Sequence, residues 1–490
     1  MRIKSLNLHF IKNSLKGYKS ILRTRSLFRV RDLKNALAET SFVQSTYSAF
    51  SNEACISHLP HERVLRQYIY KTYMKNLFLK LLFYSTSRNK KLVYPMPKAW
   101  LRVISEKNFP INYRLSIFAW YGSLSVLFLY NIYKSILFLL KAIRLVSYRT
   151  RNSRYTYFLN LSEKNIPYKH DLSKSYTIID WYLNWSGRSN ISTINHDLEI
   201  SSVSIKSIKV SHGLTPYFLI QNYYSYFKLT QWFFHYLTLA FIDLISGKWW
   251  SLLLIYELLL AKSTSLCPSS LLADDYMFHY SGLIYRPLWT YIAEEKGSRI
   301  ISYFYSSYQS PSTNSSHTHD SASWPASTWS HHLVWDSHQK SYLEENLNNK
   351  PKLEIVGSIW FSDTNITPTL PERSIAVFPI EFARFSYFMP TSTYGDFLYE
   401  NPDYFEHFIG DILSILEETD YSMILKLKRD RPKNEQVKNN LSFISKLKNN
   451  DKVIIIDSDT SPIKLFHQCQ AVISMPFTSF LLKSLSLFLC

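Results

Sequence analysis

The chain has 490 residues, with Lys+Arg 56 against Asp+Glu 37 and a formal net charge of +19, but only ten glycines and four cysteines. No Gly-x-Gly-x-x-Gly or Walker-type loop occurs, which argues against dinucleotide-fingerprint and P-loop NTPase chemistry. Cys55, Cys267, Cys469 and Cys490 form neither metal spacing nor a disulfide framework, as suits a reducing cytoplasm, and the length allows two domains plus extra material.

Residues 1–150 carry 26 Lys+Arg against 5 Asp+Glu, or +21, while the rest of the chain sums to −2. The Met-Arg-Ile-Lys start lacks the early apolar core of a signal peptide, so the protein is expected to be cytoplasmic. A basic, aromatic-rich surface suits nucleic acid or an anionic membrane. The neighbouring sequence favours the membrane, and nucleic acid is the weaker alternative. Between Arg114 and Lys134 no charge occurs, and an apolar run follows to 140. Its Ser, Gly and Asn content suits an interfacial or buried helix better than a true span. Residues 1–165 are therefore read as a basic, mostly helical, membrane-proximal region peripheral to the inner membrane.

Strands are expected at 176–182 and at 203–210, the latter running into Ser211-His212-Gly213. An apolar helical insertion spans 229–262. A helix over 286–297 stops at a glycine and hands over to a strand at 299–305. The Ser/His-rich stretch 306–332 is expected to be a solvated surface loop, a better reading of His317, His319 and Asp320 than a metal site. Strands at 333–336 and 353–357 close an α/β unit of residues 166–365.

Residues 366–490 have the clearest grammar. Strands at 375–379, 423–428, 453–457 and 471–474 alternate with helices at 402–418 and 433–448 and a short helix from Ser461-Pro462 to Cys469. That spacing predicts a parallel sheet, a Rossmann-like domain without its glycine fingerprint. Ligands of such sheets sit beyond the carboxyl ends of the strands, where helix N-termini offer free N–H groups. Ser474, Thr478 and Ser479, in the turn Met475-Pro476-Phe477-Thr478-Ser479, are candidate phosphate binders; a helix cap is the plainer alternative. Lys426, Lys428 and Arg429 end a neighbouring strand, and alternation puts the two lysines on one face. A cation there could neutralise a diphosphate leaving group; a solvated strand end explains it equally. His212 is a candidate base, since its pKa lies near neutrality, with a structural role in the turn as the alternative. Arg384 and Glu381 are weaker candidates.

The run Ala471-Val472-Ile473-Ser474-Met475-Pro476-Phe477-Thr478-Ser479, with Ser461-Pro462 and Cys469 before it, resembles the bacterial polysaccharide biosynthesis PFTS-motif proteins. Arg286-Pro287-Leu288-Trp289, Phe304-Tyr305-Ser306, Leu333-Val334-Trp335-Asp336 and Val356-Gly357-Ser358-Ile359-Trp360 are similar in style, and the resemblance covers roughly 170–480. It implies a glycosyltransferase-like protein of surface polysaccharide assembly, with two Rossmann-like domains facing a cleft (GT-B-like). The expected partners are a nucleotide-sugar donor and a lipid-linked glycan acceptor, with no cofactor and no metal. His212-Gly213 more loosely resembles the His-Gly element of CDP-glycerol glycerophosphotransferases, which implies a base role. A domain of this kind normally continues beyond a helix such as 480–490, so the second domain is expected to be incomplete. The alternatives are a non-catalytic membrane or nucleic-acid-binding protein, or an inactive shortened family member.

Overall fold

The computed structural model describes residues 90–146, 156–159, 202–205, 208–211, 222–246, 249–279, 285–304, 327–357, 369–379, 402–427, 438–456 and 468–475, with isolated positions between them. Helix α1 (Lys98–Glu106) and the 33-residue α2 (Tyr113–Leu145) come first. Asn112 caps α2, its side-chain oxygen accepting the Leu115 N–H at 3.2 Å, one of the backbone donors a helix start leaves unpaired. The second apolar region forms α3 (Tyr223–Ile245), capped in the same way by Asn222, and α4 (Trp250–Leu266). The central stretch of α4, Leu252–Ile255 and Leu258–Ala261, is buried, as its uniformly apolar sequence requires.

Seven strands make the first sheet: β1 (Thr156–Leu159), β2 (Ser202–Ile205), β3 (Ile208–Ser211), β4 (Asp275–His279), β5 (Arg299–Tyr303), β6 (His331–Val334) and β7 (Lys352–Ile355). Their order is β2-β3-β1-β4-β5-β6-β7, and only the β2–β3 pairing is antiparallel. The single strand expected at 203–210 is thus a hairpin. Its apolar positions explain why: Val203 and Ile205 are in one phase, Ile208 and Val210 in the other. Folding back pairs Val203 with Val210 and Ile205 with Ile208. The strand expected at 176–182 fails at its end. Tyr182 and Trp185 are helical, with the Ser186 N–H donating to Tyr182 O at 2.8 Å. One helical turn brings both rings to the sheet together, 5.9 Å apart.

Helix α5 (Trp289–Glu295) ends as its glycine predicts. The Gly297 N–H donates to Glu294 O (2.9 Å) and the Ser298 N–H to Ala293 O (3.0 Å), the two bonds of a Schellman cap, with Gly297 at φ 99°. The Lys296 ammonium donates to the carbonyls of Thr264, Ser265 and Cys267 at the end of α4 (3.0, 2.6 and 2.6 Å), tying the two helix ends together. The Ser/His-rich stretch departs from expectation at its end: Ser327, Trp329, His331 and His332 are buried. Trp329 packs edge-on against Phe278 at 4.9 Å, and the histidines enter β6. One continuous core joins residues of α1–α5, β1 and β4, so the N-terminal helices and the first sheet share an interior. Helix α6 (Ser337–Asn346), capped by Asp336, links β6 to β7.

The second sheet holds β8 (Ser374–Phe378), β9 (Ser422–Lys426), β10 (Val453–Ile456) and β11 (Ala471–Ser474), with α7 (Pro402–Glu417) and α8 (Lys438–Leu447) between them in sequence. All pairings are parallel, in the order β10-β9-β8-β11. Alternation divides its residues cleanly. Val377, Met423, Leu425 and Val453 pack beneath Phe405, Ile409 and Leu416 of α7 and Leu447 of α8. Ala376, Phe378 and Ile424 face the other way, against Leu465. The chain is an α/β protein with largely parallel sheets and flanking helices.

Candidate functional site

In the second sheet, β9 and β10 extend from β8 to one side, while β11 returns to its other side. The strand order therefore reverses between β8 and β11, the switch point beside which open parallel sheets hold their ligands. The registers align Ile456, Lys426, Phe378 and Ser474 as one row, the last residue of each strand. With strands about 4.8 Å apart, Lys426 and Ser474 lie roughly 10 Å from each other across Phe378. They share a face, the one bearing Phe378, Ile424 and Ile456. The Met475 N–H continues the ladder by donating to Phe378 O at 3.1 Å, and Ser474 Oγ donates to Met475 O at 3.1 Å.

Lys426 is 7 % exposed. A lysine this buried interacts with a negative group more strongly than one in water, because the local dielectric is low. Of the other residues singled out in the sequence, Lys428, Arg429, Arg384, Glu381, Thr478, Ser479 and His212 lie outside the described residues. For His212 the preceding strand is described: Ser211 ends β3 at the carboxyl edge, in register with Leu159 of the central β1.

At the opposite, amino edge of the first sheet, β4 and β5 open with an ion pair, Asp275 and Arg299. Asp275, fully buried at the first position of β4, takes two bonds from the Arg299 guanidinium (2.6 and 2.7 Å) and one from the Tyr182 hydroxyl. The Asp275 bond raises the Arg299 pKa further. Thr156 Oγ1 lies 2.7 Å from the same hydroxyl. Trp185 Nε1 donates to Glu354 Oε1 at 2.8 Å, Lys352 Nζ lies 3.1 Å from Glu354 Oε2, and His331 Nε2 lies 3.3 Å from it. Burial holds His331 below the ordinary histidine pKa, so this last contact is between a neutral ring and a carboxylate at pH 7. Burial also pushes His332 down to about 3. Arg286, 2 % exposed, is held by Thr290 Oγ1 (2.9 Å), Thr328 O (3.0 Å) and Glu294 (2.5 Å), over the Tyr291 ring. Asp275, Arg299 and Arg286 are engaged by protein partners, so they pin register and loops.

Cys469 also lies at an amino edge, its Sγ 3.5 Å from Ser374 Oγ, and burial raises its pKa, which leaves it an inert thiol. Among the described residues no three His, Cys, Asp or Glu side chains gather into a group able to hold a metal ion. The sequence reading missed the placement of β11 beside β8, and with it the switch point. Strand order is non-local, and the local hint is that both strands are short apolar runs followed by proline, Pro379 and Pro476.

Comparison with curated proteins gives no significant match. The model of the family described as polysaccharide biosynthesis PFTS motif protein matches residues 228–487, from within α3 through the whole second sheet. That stretch covers more than half of the chain, contains both strands of the switch point, and joins the Ser474–Ser479 segment to a sheet of the matching grammar. The chain belongs to the polysaccharide biosynthesis PFTS motif protein family.

Proposed function

We propose that this protein transfers a sugar, or a related alditol-phosphate group, from a nucleotide-activated donor to a lipid-linked glycan acceptor at the cytoplasmic face of the membrane. The observation that carries the reading is the shared row and face of Lys426 and Ser474 at the switch point of the second sheet. The leaving nucleotide, a nucleoside diphosphate in sugar transfer and a nucleoside monophosphate in alditol-phosphate transfer, develops negative charge on its phosphate as its bond to the transferred group breaks. A preplaced cation in a low-dielectric setting stabilises that charge without reorganising at the moment of transfer. In this account Lys426, Lys428, Arg429 and Arg384 supply positive charge, and Ser474, Thr478 and Ser479 supply hydroxyl and backbone N–H donors. Helix-terminus donors and charged side chains suffice to hold a diphosphate, so the chemistry asks for neither metal nor cofactor. His212 takes the proton of the acceptor hydroxyl as the new bond forms.

A thermal-shift panel of nucleoside diphosphates and their sugar conjugates tests the assignment. One nucleotide class at saturating concentration raises Tm by several degrees, as expected for a ligand that binds only the folded state. A flat panel across all classes rejects it.

A further inference from the structure

We infer that helices α2 and α3 dock this protein into an anionic lipid leaflet, lying in its plane without crossing it. The inference rests on these helices and is independent of the donor site. Along α2 the exposed side chains recur every three or four residues: Phe118, Val126, Leu129, Ile136 and Leu140 belong to one continuous apolar stripe, with Phe118 78 % exposed. On α3 the exposed Phe227, Phe234 and Phe241 repeat every seven residues, the spacing of a single helix face. The two helices pack on each other and on α4, and their apolar stripes turn away from α4. At 1.5 Å per residue α2 is about 50 Å long, so the exposed apolar surface far exceeds what a solvated protein leaves uncovered.

The charges select the occupant. The exposed side of α2 carries Arg114, Lys141 and Arg144 and no acid, Lys134 turning inward to α4; α3 carries Lys228, and its only acid, Asp243, is buried. The first 150 residues together carry +21. A second copy of the chain laid on this face would oppose cation to cation, whereas anionic headgroups complement it.

The packing selects the orientation. Helix α2 is the one described helix long and apolar enough to cross a membrane, but a third of its most apolar window is buried in protein. Its inner side is bonded to α4 along its length. Trp120 meets Trp249 edge-on at 5.3 Å, Asn131 Nδ2 donates to Leu252 O and Leu253 O (3.3 and 3.1 Å), and Lys134 sits 4.1 Å above the Tyr256 ring. Helix α4 packs in turn on α5, which covers the sheet. A crossing α2 would carry α4, α5 and the buried Arg286 into hydrocarbon. Lying in the interface leaves all three in protein and immerses the stripes alone.

Flotation of the full chain with preformed vesicles, without detergent, tests this. The protein should float with vesicles rich in phosphatidylglycerol and bind about tenfold less to phosphatidylcholine alone, through loss of the headgroup attraction. The variant Val126→Glu/Leu129→Glu/Phe234→Glu/Phe241→Glu should keep the Tm and lose flotation. Absence of flotation with anionic vesicles, or a variant that floats as well as the parent, overturns the proposal. So does a stable dimer by light scattering that the same substitutions dissociate, since a second copy would then cover the face.

Discussion

Asp275 shows how one side chain can fix the start of a sheet. It is fully buried, yet Arg299, Tyr182 and, through Tyr182, Thr156 converge on it, so the first residues of β1, β4 and β5 are held by a single carboxylate. Arg299→Ala leaves that carboxylate without its cation. The expected cost is about 2 kcal/mol in denaturant unfolding, below the range for fully buried pairs because half of the Arg299 side chain is in water. Arg373→Ala breaks an ion pair of similar length, 2.7 Å, to the exposed Asp420 and should cost under about 1 kcal/mol. Equal costs would mean that burial of Asp275 carries no weight. His332 makes a prediction of the same pH sense as a carboxylate held below its ordinary pKa. Its folded pKa, about 3, lies below the unfolded value near 6.5. The stability it confers is complete above the unfolded pKa and is lost as pH falls through the window between them. From pH 7 to pH 5 this removes about 2 kcal/mol. In His332→Leu the fall in Tm over that interval should shrink; an unchanged fall places the acid sensitivity elsewhere.

At the scale of elements, chain ends and phases decide what forms. Gly297 has open space around its Cα but φ of 99°, so Gly297→Ala meets only backbone strain, with no clash. The expected loss is about 1–2 kcal/mol, read as a lower chemical-denaturation midpoint, and an unchanged midpoint would show that the cap adopts another geometry. The glycine stop was legible in the sequence because a single local rule governs it. The four strands of the second sheet were legible for a similar reason: each is a short apolar run separated from the next by helix or polar chain. β1 and β4 were not. Thr156–Leu159 and Asp275–His279 are four and five residues long, without alternation, and only the pairing with their neighbours makes them strands. The hairpin of β2 and β3 was written in the sequence as a phase shift between Ile205 and Ile208, which a search for alternation passes over. Lys426 and Ser474 could be read as strand ends, but their common row needed the strand order.

Over the whole molecule, chemistry and packing separate by sheet edge. In the first sheet, the Asp275–Arg299 pair occupies the amino edge, and β3 ends at the carboxyl edge with Ser211. In the second, the carboxyl edge carries the lysine and serine of the proposed donor site. The N-terminal helices add to the first sheet a surface that is apolar outside and cationic in charge. The family assignment places all of this in polysaccharide biosynthesis. The account depends on Lys426 meeting the donor phosphates, and isothermal titration calorimetry of the protein with the nucleotide that stabilises it, against Lys426→Met, tests that most directly. Methionine keeps the buried stem and removes the charge. Loss of a charge-assisted bond worth about 1.5–3 kcal/mol should weaken binding about 10- to 100-fold; equal affinity of the two proteins would contradict the account.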